Sequence, residues 1–143
     1  MISTRGRYAL RLMLDLAEHG SEDFVPLKDI AERQGISKKY LEQIIPTLNR
    51  AGFLQTNRGF QGGYKLAKNP DKYTVGDILR ETEGGLAPIS CLEQSPIQCP
   101  RAAECMTLPM WKGLQDVINN YLNGITLQDM IDKNKAPNGD YYI

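Results

Sequence analysis

Three features of the sequence predict a mainly α-helical fold with a small β-wing, a winged helix-turn-helix followed by a long C-terminal helix. Two helical segments meet at Gly35, a glycine-rich ribbon follows over residues 52–66, and a broadly apolar helical segment runs from Leu108 to Leu122. At 143 residues the chain has room for one domain, or for one small domain with an assembly element. Hydrophobic residues at 41% and charged residues at 24% exclude collagen-like, disordered and highly charged classes. No apolar run approaches the ~20 residues that cross a bilayer, and Met1–Arg5 lack the apolar stretch of a signal peptide. A cytoplasmic protein without membrane contact is therefore expected.

The first helix is expected over Tyr8–Ala17, where apolar residues recur at helical spacing until His19-Gly20. The second fits Pro26–Gln34, with proline in its first turn and Gly35 as its breaker. Ser37 can cap a third helix from Lys38 to about Arg50, with Leu41, Ile44, Ile45 and Leu48 facing inward. Pro46 predicts a kink or an early end there, because it lacks an amide donor and disfavours helical geometry at Ile45. Residues 52–57 and 64–66 read as short strands around the loop Arg58-Gly59-Phe60-Gln61-Gly62-Gly63. Thr74 with Asp77, and Thr126 with Asp129, have the spacing of capping boxes that open two further helices. Residues 86–107 carry three prolines and no periodicity, so a loop is expected. In the segment after it, Leu108, Met110, Trp111, Leu114, Val117, Ile118, Tyr121 and Leu122 cover about half a helical cylinder. So broad an apolar arc exceeds what one small core covers and points to a second subunit.

Residues 1–70 are expected to form a DNA-binding domain, and residues 71–143 a linker helix, a cysteine loop (86–107), a dimerisation helix (108–123) and a tail. The zero net charge hides an asymmetry that follows this division: +4 before residue 71 and −4 after it. An α-helix fits the major groove and presents its first turn to base edges, while a basic ribbon reaches phosphates or the adjacent minor groove. Ser37, Lys38, Lys39, Tyr40, Glu42 and Gln43 occupy the outward positions of the third helix. Lys38 and Lys39 can neutralise phosphates, Gln43 can pair with adenine, and Glu42 can accept from a cytosine amino group. Arg58 and Gly59 stand at the ribbon tip. A solvated helix face is the plain alternative for any one of these residues; the succession of helices, ribbon and basic bias favours double-stranded DNA.

These residues resemble the Rrf2-type winged-helix transcriptional regulators. The likeness is carried by Ser3-Thr4-Arg5-Gly6-Arg7-Tyr8-Ala9-Leu10, by Ile30-Ala31-Glu32-Arg33-Gln34-Gly35-Ile36-Ser37, by Tyr40-Leu41-Glu42-Gln43 and by Arg58-Gly59-Phe60-Gln61-Gly62-Gly63-Tyr64. It continues through Thr74-Val75-Gly76-Asp77-Ile78 to Ile125-Thr126-Leu127. The resemblance implies a homodimer joined through the long C-terminal helix and bound to a pseudo-palindromic operator, acting as a repressor. It also implies that Ser37, Lys39, Glu42, Gln43 and Arg58 lie at the DNA surface.

Cys91, Cys99 and Cys105 are the only cysteines. Three thiols on one loop in a reducing compartment favour metal or redox chemistry over a disulfide framework. They can hold an iron-sulfur cluster or Zn²⁺, both of which usually take four protein ligands, or remain free as redox-active thiols. The family resemblance implies a [2Fe-2S] cluster. Two departures accompany it: Leu108 stands where the cluster-binding member has histidine, and the seven residues between Cys91 and Cys99 lengthen that member's spacing. Arg7 stands where the nitric-oxide-sensing member has a carboxylate ligand. Glu93, Glu104, water or the other subunit remain as sources of a fourth ligand, and the only histidine, His19, reads as a capping or surface residue. The ending Tyr142-Ile143 resembles that of the family's cysteine metabolism repressor and implies an alternative, a cofactor-free regulator controlled by a cysteine synthase-like enzyme docking the tail. No nucleophile or phosphate-loop motif is present, so an enzyme is not expected.

Overall fold

Ser3 begins the ordered architecture by accepting, at its Oγ, the Gly6 amide at 3.1 Å. This caps helix α1 (Thr4–His19), one turn earlier than expected, because Arg5-Gly6-Arg7 interrupts the apolar rhythm while the serine cap does not depend on it. The structure, a computed structural model, describes residues 1–20, 22–60 and 62–135. After α1 come α2 (Leu27–Gln34), α3 (Lys38–Arg50), strands β1 (Leu54–Asn57) and β2 (Gly63–Leu66), then α4 (Val75–Glu83), α5 (Leu108–Asn123) and α6 (Leu127–Asn134). Gly35 joins α2 to α3 at φ 64°, a left-handed conformation that side chains with a Cβ resist. β1 and β2 form an antiparallel ribbon with Leu54 opposite Leu66 and Asn57 opposite Gly63. The result is a winged helix-turn-helix extended by three C-terminal helices.

Helix α3 runs through Pro46 to Arg50, so the early end does not occur. The carbonyl that Pro46 leaves unbonded belongs to Glu42, and both residues are exposed, so water can satisfy it. Burial of Ile44, Ile45 and Leu48 on the opposite face holds the helix together. The core unites both halves of the sequence. Ala9, Leu12, Met13 and Leu16 of α1 pack with Leu27 and Ile30 of α2, Leu41, Ile44 and Leu48 of α3, and Tyr73, Ile78 and Leu127 from beyond the ribbon. Buried Tyr73 donates its hydroxyl to the Phe53 carbonyl at 2.8 Å and accepts the Lys68 amide at 3.0 Å, which anchors the ribbon to the C-terminal segment. Burial pushes its phenol pKa up. Both capping boxes form as expected: Thr74 and Asp77 bond reciprocally at 3.0 and 3.1 Å, and Thr126 and Asp129 both at 2.9 Å. The two caps lie side by side, with the Val75 amide donating to the Ile125 carbonyl and the Leu127 amide to the Tyr73 carbonyl.

Candidate nucleic-acid interface

Ser37 Oγ accepts the Tyr40 amide at 3.1 Å and starts α3 at the protein surface. Ser37, Lys38, Lys39, Glu42 and Gln43 are all exposed, opposite the buried Leu41, Ile44, Ile45 and Leu48. Tyr40 differs from the outward placement expected for it. It is half-buried, with its ring edge-on to Tyr8 at 5.2 Å, because α1 passes beside that flank of α3. The first turn of α3, like those of α1 and α5, contains no acidic residue, whereas α2, α4 and α6 carry Asp29, Asp77 and Asp129 there. Two lysines at a positive helix end are locally unfavourable, by about 0.3–1 kcal/mol each, and an approaching phosphate relieves that repulsion. Arg58 and Gly59 are exposed at the ribbon turn, where Gly59 has φ 110° and its carbonyl accepts the Gly62 amide at 3.0 Å. Thr56 on β1 reaches Asn49 of α3 at 3.4 Å, tying the ribbon to the helix.

A polar cluster joins α1 to the end of α2, centred on a carboxylate that no motif in the sequence singles out. Asp15 of α1 is fully buried. Its carboxylate accepts Arg33 Nε at 3.0 Å, Arg33 Nη2 at 2.7 Å and Gln34 Nε2 at 2.9 Å. That hydrogen bonding holds the Arg33 guanidinium above its ordinary pKa. Arg11 donates to the Gln34 side chain at 3.1 Å and also to the Gln34 carbonyl. Near the start of α1, Arg5 Nη2 donates to Thr47 Oγ1 at 2.8 Å. One face of α1 therefore fixes both the end of α2 and the flank of α3. The signal in the sequence is a lone carboxylate within an apolar helical stripe, three residues after Leu12.

The cysteine loop (86–107) contains two short 3-10 turns, Ser90–Leu92 and Ala102–Glu104. Cys91 is exposed, while Cys99 and Cys105 are half-buried, and all three are free thiols. Cys105 Sγ lies 3.3 Å from Thr107 Oγ1, and that hydrogen bond holds the thiol below its ordinary pKa. Among the described residues no three His, Cys, Asp or Glu side chains converge closely enough to hold a metal ion. Leu108, which stands where the family's cluster-binding member has histidine, is buried as the first residue of α5. His19 ends α1 and is exposed.

Leu108 is also the only buried residue of α5. Met110, Leu114, Val117 and Tyr121 are exposed, Val117 at 64% and Tyr121 at 68%. Beside them an open cavity of about 490 Å³ is walled by Ile2, Leu86, Pro88, Val117, Ile118 and Tyr121. At the base of the loop, Ser3 donates both its amide (2.7 Å) and its hydroxyl (2.9 Å) to Glu83 at the end of α4. Among the described residues no helix is long and apolar enough to cross a membrane. Tyr142 and Ile143 lie outside the described residues.

Residues 2–133 match the Rrf2 family model, described as an iron-dependent transcriptional regulator. The chain is 44% identical over 130 residues to "Protein rrf2" of Nitratidesulfovibrio vulgaris (strain Hildenborough), spanning 91% of this chain and 86% of that protein. It is 38% identical over 137 residues to the HTH-type transcriptional regulator IscR of Pectobacterium atrosepticum, spanning 96% and 82%. Among solved structures, CymR (YrzC), the global cysteine regulator of B. subtilis, superposes with a TM-score of 0.75 at 37% identity, covering 92% of this chain and 96% of that one. IscR of T. potens superposes with a TM-score of 0.74 at 38% identity, covering 100% and 93%. With nearly the whole chain matched at this identity and on this fold, the protein belongs to the Rrf2 family of transcriptional regulators, and is not an enzyme.

Proposed function

We propose that this chain represses transcription as a homodimer bound to a pseudo-palindromic operator. Each subunit inserts α3 in the major groove and sets the Arg58–Gly59 turn against the neighbouring phosphates or minor groove. The observation that carries this reading is the start of α3, where Ser37, Lys38 and Lys39 face solvent without an acidic neighbour in the first turn, followed by exposed Glu42 and Gln43. The lysines position the helix on phosphates, and Glu42 and Gln43 supply hydrogen bonds to base edges. The second copy covers the exposed apolar side of α5, which joins the two reading heads with a two-fold axis.

The loop is the regulatory input. As a donor set it fits an iron-sulfur group, because Cys91, Cys99 and Cys105 are unpaired thiols on one segment and the hydrogen bond from Thr107 holds the Cys105 thiol below its ordinary pKa. These three would hold the group, with the remaining position left to Glu93, Glu104, solvent or the second copy. When bound, the group supplies redox- and ligand-sensitive chemistry; [2Fe-2S] is the type the family resemblance implies, with Zn²⁺ or thiol switching as the other outcomes. The loop must close to gather the cysteines, since they do not converge in this structure. Its base is bonded through Glu83 to Ser3 at the start of α1, and α1 holds α2 and α3 through Asp15, Arg11 and Arg5. That route lets loop closure bias the recognition helix.

The likeness to the B. subtilis cysteine regulator supports a second reading, a partner enzyme docking the tail at Tyr142 and Ile143. Deleting residues 140–143 would then abolish capture of a cysteine synthase-like enzyme while leaving DNA binding intact. The main reading is tested by selecting fragments of the source genome with anaerobically purified protein and measuring their binding against random duplex. Preference for a two-fold symmetric site, with iron and sulfide in the protein, is expected. No preference in either redox state overturns the operator reading, and colourless protein without iron and sulfide overturns the cluster.

A further inference from the structure

Phe60 lies between Gly59 and the Gly62-Gly63 pair at the ribbon turn and is fully exposed, at 100%. Among the described residues, the other large apolar side chains left exposed belong to the N-terminus, the end of the cysteine loop or the outer face of α5: Met1, Ile2, Met106, Met110, Leu114, Val117 and Tyr121. Phe60 alone stands on the wing. Residues 57–63 contain one cation, Arg58, and no carboxylate, so the charge at this tip complements an anionic partner. Gly59 and Gly62 keep the backbone of the turn thin, and the Gly62 amide closes it on the Gly59 carbonyl at 3.0 Å. A narrow blade carrying a ring and a guanidinium has the shape and chemistry of side chains that enter the minor groove, which is about 6 Å wide.

We propose that Phe60 contacts DNA directly, its ring packed on deoxyribose faces and the edge of a base step in the minor groove beside the phosphate contact of Arg58. The inference rests on the operator-binding reading and deepens it by dividing the wing between two kinds of interaction. Arg58 supplies charge, which displaces counterions and is weakened by salt. Phe60 supplies apolar contact, which releases no counterion.

The test measures fluorescence anisotropy of the genomic fragment selected by the wild-type protein, across a KCl series, with F60A, F60W and R58A. F60A is expected to bind about tenfold more weakly with an unchanged slope of log K against log salt, and F60W to bind close to wild type. R58A is expected to lower that slope by about 0.9 per subunit. Melting temperatures should not move, because Phe60 supports no core contact. F60A binding within twofold of wild type overturns the inference alone, as does a loss of affinity in F60A accompanied by a fall in slope, which would make the ring only a support for Arg58. Wild-type protein that prefers no genomic fragment overturns the operator reading and this inference together.

Discussion

Replacing Asp15 by Asn tests whether the buried carboxylate holds the helix-turn-helix together. The substitution keeps the volume of the side chain, so it opens no cavity. In the native protein Oδ2 accepts from both Arg33 Nε and Gln34 Nε2, and Oδ1 accepts from Arg33 Nη2. An amide offers one oxygen and one NH₂, so one orientation forfeits the Arg33 Nη2 bond and the other forfeits two bonds. Both set a donor against donors in a dry site. Breaking a buried ion pair costs about 3–5 kcal/mol when the stranded charge stays buried. Arg33 is 35% exposed and can turn to water, which lowers the expected loss to about 2 kcal/mol. At roughly 3 °C per kcal/mol for a chain of this size, thermal unfolding followed by circular dichroism should shift down by about 6 °C. Because Gln34 directly precedes the Gly35 turn into α3, operator affinity should fall as well, measured at a temperature where the variant is folded. A melting temperature within 1 °C of wild type would refute the argument that this pair fixes α2 on α1.

In the proposed dimer, glutamate at Val117 would be buried twice across the two-fold interface, so V117E should weaken dimerisation at least a hundredfold in sedimentation equilibrium while the helical signal stays unchanged. In metal-free, reduced protein, T107V removes the hydroxyl that stabilises the Cys105 thiolate. Since the native thiol pKa is depressed, the variant should be alkylated by iodoacetamide a few-fold more slowly at pH 7, and the difference should close above about pH 8.5, where ordinary thiols are ionised too. C91A should abolish any visible absorption of anaerobically purified protein without changing its fold or oligomeric state; a retained chromophore would remove Cys91 from the ligand set.

Much of the architecture is legible in the sequence because its signals are local. Thr74 and Asp77, or Thr126 and Asp129, need only a three-residue spacing to announce a helix start, and Gly35 needs only its missing Cβ to end one. Pro46 misleads for the same reason. Its local cost is real, but the burial of Ile44, Ile45 and Leu48 outweighs it, and burial is a property of the packed chain. The exposed row on α3 follows from helical periodicity once the inward leucine and isoleucines are placed. Tyr40 escapes that rule because its position depends on Tyr8, thirty-two residues earlier. The Asp15 cluster was hidden because the partners of a buried carboxylate are chosen in space. The cysteine loop is the opposite case: its residue types suggest a chemistry, while the three thiols do not converge in the structure.

On the proposed function, helix α1 is the element that couples sensing at the loop to reading at α3. Its first turn is bonded to Glu83, where α4 gives way to the cysteine loop, and through Arg5 to Thr47, while its later turns hold Gln34 and Arg33. The fully buried Ala9, Leu12, Met13 and Leu16 make it the inner wall of the core. A close-packed helix of this kind moves as a unit, because a local bend would open voids or force side chains from their rotamers. A displacement of Ser3 by the loop is therefore carried along α1 to the α2–α3 turn instead of being absorbed near Glu83. The surface contacts differ in kind from the core: Ser3–Glu83 and Arg5–Thr47 are exposed and can be remade at small cost, whereas Asp15–Arg33 is anchored on a buried carboxylate. The exchangeable bonds lie at the end of α1 that meets the loop, and the durable one lies beneath the turn that aims α3, which is the distribution a lever needs if its input is to move while its output keeps its shape.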